Sequence, residues 1–186
     1  MIPAIALYSH LKKNFNTYMT SDLRGLKYID HKKFNINVIN TPNIFNNILL
    51  IPIKIVVLFI LFIRSIFFLR NKKIDTILST GGYAPTPLCL AAIFLGLKFY
   101  IYEPNQVIGK SNKFFLSYCN KIFCHKNKIK NLPKKSEKKI FIISPIVKKE
   151  FYKNVSKKNK KFNLMIIGGS QGAKIFDEYL HKVLLK

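Results

Sequence analysis

The most hydrophobic part of the chain is Asn43–Arg70, which contains nine uninterrupted apolar residues at Ile55–Ile63. Lys54 and Arg64 bracket this run, and Pro52 is expected to kink it. A membrane-spanning helix needs about 20 predominantly apolar residues, so the unbroken run alone is too short. When the region is wound as an α-helix, its interior polar side chains fall in one narrow stripe. That stripe contains Asn43, Asn46, Asn47, Lys54, Arg64 and Ser65.

The stripe predicts an amphipathic helix whose polar side is wet and whose broad apolar face is shared between the protein core and a second apolar partner. Cationic residues flank the helix, which favours an anionic membrane surface as that partner of Asn43–Arg70. A fully buried helix and a true membrane span remain open, because apolar area alone does not separate the three.

Elsewhere, short apolar runs alternate with helix-like segments, which predicts an α/β fold with a parallel sheet. The predicted strands are Phe15–Thr20, Asn35–Asn40, Ile74–Leu78, Lys98–Tyr102, Lys121–Cys124 and Ile140–Ile143. The predicted helices are Ile2–Asn14, Leu88–Leu97 and Ser111–Cys119. The connections Ser21–Lys33 and His125–Lys139 are polar and predict loops.

A strongly basic stretch, Lys148–Lys161, is the best candidate for a domain boundary. The sequence therefore predicts a domain over 1–147, a linker over 148–161 and the start of a second domain over 162–186. That last part predicts a strand at Asn163–Ile167 and a helix at Ala173–Leu185. A single βα unit cannot bury its own faces, so the second domain is expected to be incomplete as given.

The composition narrows the classes of function. The 186 residues carry a formal net charge of +24, but the basic residues are scattered and form no nucleic-acid recognition motif, so no nucleic-acid partner is expected. The first residues lack a basic segment followed by a long apolar one, so no signal peptide is expected.

Three cysteines indicate a reducing compartment without a disulfide framework. Cys119, Cys124 and His125 lack a fourth ligand at useful spacing, so a metal site is not expected. We interpret Cys119 and Cys124 as small core residues beside a strand.

Two loops carry the candidate chemistry, because each follows a predicted strand and ligands of parallel sheets bind at the carboxyl ends of strands. One contains Gly81 and Gly82, and the other contains Glu103 and Asn105. Paired glycines let backbone N–H groups approach a ligand, and a following helix N-terminus favours an anion. The pattern suggests a phosphate-bearing ligand, and a tight turn without a ligand is the alternative.

A third strand–glycine–helix segment, Gly168–Ala173, reads GGSQGA. Together with Gly81–Pro87 (GGYAPTP) and Tyr102–Asn105 (YEPN), in this order and at these spacings, it resembles the MurG family of glycosyltransferases, glycosyltransferase family 28. Met1–Leu7 resembles the end of the family's first loop with its helix, and Ser21–Gly25 falls where the family often has an Arg-Gly pair. The resemblance covers essentially the whole chain.

The resemblance implies a Rossmann-like N-terminal domain of a GT-B glycosyltransferase plus the first βα unit of its C-terminal domain. It implies transfer of GlcNAc from UDP-GlcNAc to a lipid-linked acceptor, undecaprenyl-pyrophosphoryl-MurNAc-pentapeptide, in peptidoglycan biosynthesis. The transfer inverts the anomeric carbon and needs no obligatory metal or cofactor. The location it implies is peripheral, on the cytoplasmic face of the inner membrane.

The resemblance also assigns roles to the first two loops. Gly81, Gly82 and Tyr83 would face the acceptor diphosphate through backbone N–H groups, although Tyr83 also fits ordinary packing. Asn105 would touch the donor sugar, or else cap the following turn. Glu103 is a weak catalytic candidate, and a structural role is the favoured interpretation.

Three further residues would bind the donor. Ser170 and Gln171 match the part of GGSQGA that contacts the nucleotide, although Ser170 also fits a helix N-cap. Lys148 lies one position beyond the family Arg that holds the donor phosphates, and a lysine cannot reproduce its bidentate contact.

The departures from the family pattern are specific. Tyr102 replaces a family His and Pro104 replaces a Gln, and the family's first strand and its His-bearing glycine loop have no counterpart. The chain therefore looks truncated at both ends, and the polypeptide alone is expected to have little or no transferase activity. The alternative is a non-catalytic, membrane-recruiting subunit that binds a separate C-terminal half. A basic binding module without enzymatic activity is a third, weaker hypothesis.

Overall fold

The computed structural model describes residues 2–27, 29, 34, 36–42 and 48–146. They all belong to one compact unit, Met1–Phe151, and the second unit, Tyr152–Lys186, lies outside the described residues. The predicted elements of the second domain, the linker, and the candidate site residues Lys148, Ser170 and Gln171 therefore lie outside them too.

Helices and strands alternate along the described chain. The helices are α1 (Ile2–Leu11), α2 (Leu23–Leu26), α3 (Ile51–Asn71), α4 (Thr86–Phe94), α5 (Lys110–Phe115) and α6 (Lys134–Glu137). The strands are β1 (Met19–Ser21), β2 (Ile36–Val38), β3 (Thr76–Ser79), β4 (Lys98–Glu103), β5 (Lys121–Cys124) and β6 (Ile140–Ile142). A 3-10 turn, Ile48–Leu50, leads directly into α3.

All strand pairings among the described residues are parallel. β1 pairs with β2, and β3, β4, β5 and β6 form a four-stranded sheet in chain order. Ser79 at the end of β3 lies opposite Ile101, and Glu103 at the end of β4 lies opposite Cys124. The loops after these strands consequently meet at one edge of the sheet, and the predicted parallel α/β fold is confirmed.

Two connections contain helices that the sequence does not predict. The connection Ser21–Lys33 contains α2, because the Oδ1 of Asp22 accepts a hydrogen bond from the Gly25 N–H at 2.8 Å and caps the helix. The connection predicted at His125–Lys139 contains α6, whose Ser136 is buried. Both helices are single turns of four residues, too short to carry a periodic apolar signal.

A compact core lies between the middle strands and α5. Phe99 and Ile101 of β4, Ile122 of β5 and Phe115 of α5 are buried there. Phe99 and Phe115 pack edge to face, with ring centroids 5.7 Å apart. Cys119 and Cys124 are buried in the same cluster, which confirms their interpretation as small core residues.

Helix α3 differs from its prediction at its start. Pro52 lies in the first turn of α3 and therefore begins the helix rather than kinking it, since proline fits the first turn, where its missing N–H has no helical partner. Asn43, Asn46 and Asn47 of the predicted stripe lie outside the described residues.

The prediction of a wet stripe on α3 is wrong at Ser65, whereas Arg64 of the same stripe is exposed as predicted. Ser65 is 2% exposed, and its hydroxyl donates to the Leu61 carbonyl oxygen at 2.7 Å. Leu69 lies beside it on the same face and is equally buried, and Lys54 is half-buried. The helix therefore turns the side that carries Ser65 and Leu69 toward the protein, because Ser65 satisfies its own hydroxyl within the helix and is small enough to pack.

The apolar face of α3 consequently points outward. We call this surface the α3 apolar face; it consists of Ile53, Ile55, Val56, Val57, Phe59, Ile60, Ile63 and Phe67. Only 6% of the most apolar stretch of α3 is buried, and by length and composition the helix is able to cross a membrane. A single helix of this kind is weak evidence for a span. The inner side of α3 packs on α4, where Phe62 meets Phe94 with ring centroids 5.8 Å apart.

Candidate functional site

The glycine loop after β3 has an unusual backbone. Gly81 has φ +83° and Gly82 has φ +90°, a region that side chains with a Cβ rarely adopt. The Gly81 N–H already donates to the Ser79 hydroxyl at 3.2 Å. Among the described residues the Gly82 N–H has no such partner, so it is the glycine donor that the loop leaves available for a ligand.

The start of α4 offers fewer donors than the sequence predicts. The Thr86 N–H donates to the Tyr83 carbonyl oxygen at 3.1 Å, and Pro87 has no N–H. Of the first three helical residues, only Leu88 retains an N–H that these features leave unused. The N-terminus of α4 therefore has few free N–H groups with which to bind an anion. The Gly82 N–H is the main remaining donor for a phosphate group at this edge.

Glu103 at the end of β4 organises the second loop. Its side chain is 2% exposed. Oε1 accepts from the backbone N–H and the side-chain Nδ2 of Asn105 at 3.2 and 3.0 Å, and Oε2 accepts from the Gly109 N–H and Asn112 Nδ2, both at 2.9 Å. A buried carboxylate with four donors and no ion pair in the described part of the chain holds a loop in place, so its geometry favours the structural interpretation.

Asn112 connects the two loops, and sequence reasoning missed it. Its Nδ2 donates to Glu103, and the same atom lies 3.1 Å from the position that a Cβ on Gly81 would occupy. The Asn112 Oδ1 is buried without a hydrogen-bond partner in the described structure. A signal for it existed, because Asn112, Phe115 and Cys119 share one helical face with i, i+3 and i+7 spacing, and the other two are core residues.

The structure therefore brings Gly81, Glu103 and Asn105 together at one edge of the sheet, with Asn112 between the loops. Asn105 is exposed, and its backbone N–H and one N–H of its Nδ2 bind Glu103, so its Oδ1 and the second Nδ2 hydrogen are left for a ligand. Tyr83 is 43% exposed at the same edge.

The glycine geometry leads to an expected result for Gly81→Ala. The change forces a Cβ into a left-handed backbone and against Asn112, so we expect a loss of about 2–4 kcal/mol in the free energy of unfolding, measured with urea. Gly96→Ala is the matched control, because Gly96 has φ +67° but open space around its Cβ, and we expect it to lose only about 1–2 kcal/mol. Equal losses at the two positions would contradict the contact with Asn112.

No group of three or more His, Cys, Asp or Glu side chains able to hold a metal ion occurs within the described ranges. His125 lies beside Tyr102, and both of its ring nitrogens have hydrogen-bond partners. Neither ring nitrogen of His125 is therefore free in this geometry.

The cysteines are not reactive nucleophiles either. Burial raises the pKa of the Cys89 thiol to about 12, although a hydrogen bond with Ser79 lowers it in part. Burial likewise raises the pKa of Cys119 and of Cys124. A thiol with a raised folded-state pKa adds stability below its unfolded pKa, and that stability is lost as the pH rises toward the folded value.

We expect Cys89 to react with iodoacetamide at pH 8 roughly a thousandfold more slowly in the folded protein than in denaturant, because its thiolate fraction falls by about that factor. Mass spectrometry of the labelled peptide measures both rates. Labelling of the folded protein as fast as in denaturant would contradict the burial of this thiol.

Comparison with known proteins supports the predicted fold and the predicted family. The model of the glycosyltransferase family 28 N-terminal domain matches residues 1–124 of the 186. A Pelagibacter ubique (strain HTCC1062) protein named UDP-N-acetylglucosamine–N-acetylmuramyl-(pentapeptide) pyrophosphoryl-undecaprenol N-acetylglucosamine transferase is 46% identical over 188 residues, covering 100% of this chain and 53% of the relative. A Rickettsia canadensis (strain McKiel) protein of the same name is 36% identical, covering 96% of this chain and 51% of the relative.

The crystal structure of Acinetobacter baumannii MurG matches with a TM-score of 0.66 and 23% identity, covering 98% of this chain and 50% of that one. This likeness shows a shared fold. The chain spans about half the length of the curated relatives it matches. On the match of the family model over residues 1–124, the chain belongs to glycosyltransferase family 28 and carries its N-terminal domain.

Proposed function

We propose that this chain forms the acceptor- and membrane-binding side of an enzyme that transfers GlcNAc from UDP-GlcNAc to undecaprenyl-pyrophosphoryl-MurNAc-pentapeptide in peptidoglycan biosynthesis. The observation that carries the proposal is the glycine loop of a family 28 domain at the carboxyl edge of its parallel sheet, with an available Gly82 N–H. The names of the relatives, at up to 46% identity, support this reaction.

On the acceptor side, the Gly82 N–H donates to a diphosphate oxygen, and the exposed Tyr83 side chain lines the same edge. The acceptor hydroxyl becomes the nucleophile, and UDP leaves as the glycosidic bond forms. Such a reaction needs a base for the hydroxyl and charge stabilisation for the leaving diphosphate. Glu103 is a poor base, because each of its carboxylate oxygens already accepts two hydrogen bonds from the protein.

On the donor side, Asn105 presents its Oδ1 to a sugar hydroxyl. Lys148 interacts with the donor phosphates, and Ser170 and Gln171 contact the nucleotide. These last three assignments rest on the sequence motif alone, since they lie outside the described residues.

The α3 apolar face docks on the lipid surface that carries the acceptor. Its eight apolar side chains are between 37% and 62% exposed, and grouped apolar exposure of this kind marks an interaction surface. Arg64, Arg70, Lys72 and Lys73 are exposed on or next to α3 and attract anionic headgroups. The protein is therefore peripheral, on the cytoplasmic face of the inner membrane, where a nucleotide sugar is supplied.

A transfer assay tests the proposal. The full chain is incubated with radiolabelled UDP-GlcNAc and vesicles carrying the undecaprenyl-pyrophosphoryl acceptor, either alone or with a second polypeptide that carries the nucleotide-binding half of a relative. We expect label in the lipid fraction when both polypeptides are present. We expect loss of that label with Gly82→Ala, because a Cβ disfavours the φ of +90° that directs the residue 82 N–H toward the ligand. Unchanged transfer by Gly82→Ala would contradict the role of the glycine loop.

A second candidate function is favoured by the α3 apolar face: a non-catalytic subunit that recruits a separate C-terminal half to the membrane. This subunit would bind vesicles and the second polypeptide whether or not the acceptor is present. Transfer that survives changes to Gly82 and Asn105 but fails when α3 no longer binds lipid would favour this alternative.

A further inference from the structure

Tyr102 and His125 form a hydrogen-bonded pair at the carboxyl edge of the sheet. The Tyr102 hydroxyl lies 2.9 Å from Nε2 of His125, and the two rings pack edge to face with centroids 5.6 Å apart. The other ring nitrogen, Nδ1, lies 3.0 Å from the Ile143 carbonyl oxygen. Tyr102 is 2% exposed and His125 is half-buried.

The partners of His125 determine its tautomer. A carbonyl oxygen can only accept, so Nδ1 must carry the hydrogen that points at Ile143. In the neutral ring Nε2 then has a free lone pair, and the Tyr102 hydroxyl donates to it. The backbone N–H of Ile146 donates in turn to the Tyr102 oxygen, a contact that partly offsets the upward effect of burial on the pKa of Tyr102.

The backbone explains why side chains are needed here. After β6 ends at Ile142, the Ile143 N–H still donates to the Cys124 carbonyl oxygen at 2.8 Å. Pro145 has no N–H, so a regular ladder cannot continue along this segment. The hydrogen bonds of Tyr102 and His125 take the place of the missing backbone ladder. They connect β4 and β5 to the segment Ile143–Ile146.

We propose that Tyr102 and His125 are a positioning pair that fixes the segment Ile143–Ile146 against the ends of β4 and β5, with His125 as the neutral tautomer protonated on Nδ1. This inference deepens the proposed function, because the role of the pair in the reaction rests on that function. The strand end that carries Tyr102 also carries Glu103 and Asn105, and the fixed segment leads to Lys148.

Two quantities test the inference: the tautomer of His125 and the hydrogen-exchange rate of the Ile146 amide. NMR on the full chain labelled with ¹⁵N measures both. We expect His125 to show a protonated Nδ1 and an unprotonated Nε2. In Tyr102→Phe the Ile146 N–H loses its acceptor, so we expect its hydrogen exchange to speed up about tenfold or more and the His125 tautomer to become mixed.

Tyr100→Phe is the matched control, because Tyr100 packs on Phe123 and its hydroxyl has no hydrogen bond within the described structure. It should leave the Ile146 exchange rate and the His125 tautomer unchanged. A second pair of variants tests the acceptor at Nε2: His125→Gln places an amide oxygen near that position and should retain more Ile146 protection than His125→Ala.

An Nε2-protonated His125, or an Ile146 exchange rate that Tyr102→Phe does not change, would overturn the inference. Neither readout depends on sugar transfer. If no GlcNAc is transferred even with the second polypeptide present but His125 shows the expected tautomer, the proposed function is contradicted and the pair is supported. If GlcNAc is transferred but His125 shows the other tautomer, the pair is overturned and the proposed function stands.

Discussion

Replacing Glu103 by Ala is expected to lower the free energy of unfolding by about 3–5 kcal/mol, because the change removes the acceptor of four hydrogen bonds at once. The N–H groups of Gly109 and Asn112 bind Oε2 at 2.9 Å, and Asn112 is buried. Each buried donor left without a partner costs about 1–3 kcal/mol. Urea unfolding followed by circular dichroism measures the loss.

Glu103→Gln provides a second measurement if the alanine variant does not fold. Gln keeps the shape but turns one acceptor into an N–H donor that faces other donors, so we expect a loss of about 2–3 kcal/mol. Glu137→Gln is the control, since Glu137 is exposed on α6, and we expect a change within about 0.5 kcal/mol. A stable Glu103→Gln protein would contradict the organising role of the buried carboxylate.

Substituting Phe59 and Phe67 together by Ser is expected to weaken binding to anionic vesicles about 100-fold. The two side chains are 62% and 61% exposed, and burying that apolar area in lipid contributes about 1–2 kcal/mol each. Because both face away from the protein, folding stability should change by less than about 1 kcal/mol. Co-sedimentation with vesicles of graded anionic lipid content measures the binding.

The matched control is Phe114→Ser, which removes a ring that is 65% exposed on α5, outside the α3 apolar face. It should leave vesicle binding unchanged. High salt should weaken the electrostatic contribution of the flanking cations while the apolar contribution persists. If Phe114→Ser weakened vesicle binding as much as the α3 double variant, any exposed aromatic ring would contribute to binding. That result would contradict the claim that the α3 apolar face is the docking surface.

The parallel sheet and the loops at its edge were predictable, because short apolar runs followed by glycine or by Glu103-Pro104-Asn105 are strong local signals. The ends of helices and strands were harder to predict. The strand predicted at Phe15–Thr20 begins only at Met19, since the turn after α1 uses the intervening residues and the Phe15 N–H donates to the Leu11 carbonyl oxygen at 3.0 Å.

The orientation of α3 shows where helical periodicity stops being informative. The predicted stripe divides in the structure, with Ser65 buried and Arg64 exposed, because periodicity does not say which side of a helix meets water. A serine hydroxyl bonded to its own helix packs well in a protein interior, and an apolar face can be left outward when lipid covers it. The connecting role of Asn112 was hidden for a similar reason, because it depends on where the Gly81 backbone lies.

The most direct test of the account measures binding of the full chain to vesicles with and without the undecaprenyl-pyrophosphoryl acceptor, at constant anionic lipid content. We expect the acceptor to tighten binding about tenfold or more, since the Gly82 N–H and the α3 apolar face then act together. The Gly82→Ala variant should keep the binding to plain vesicles and lose the increment. Identical binding to both kinds of vesicle would contradict the claim that this domain recognises the lipid-linked acceptor.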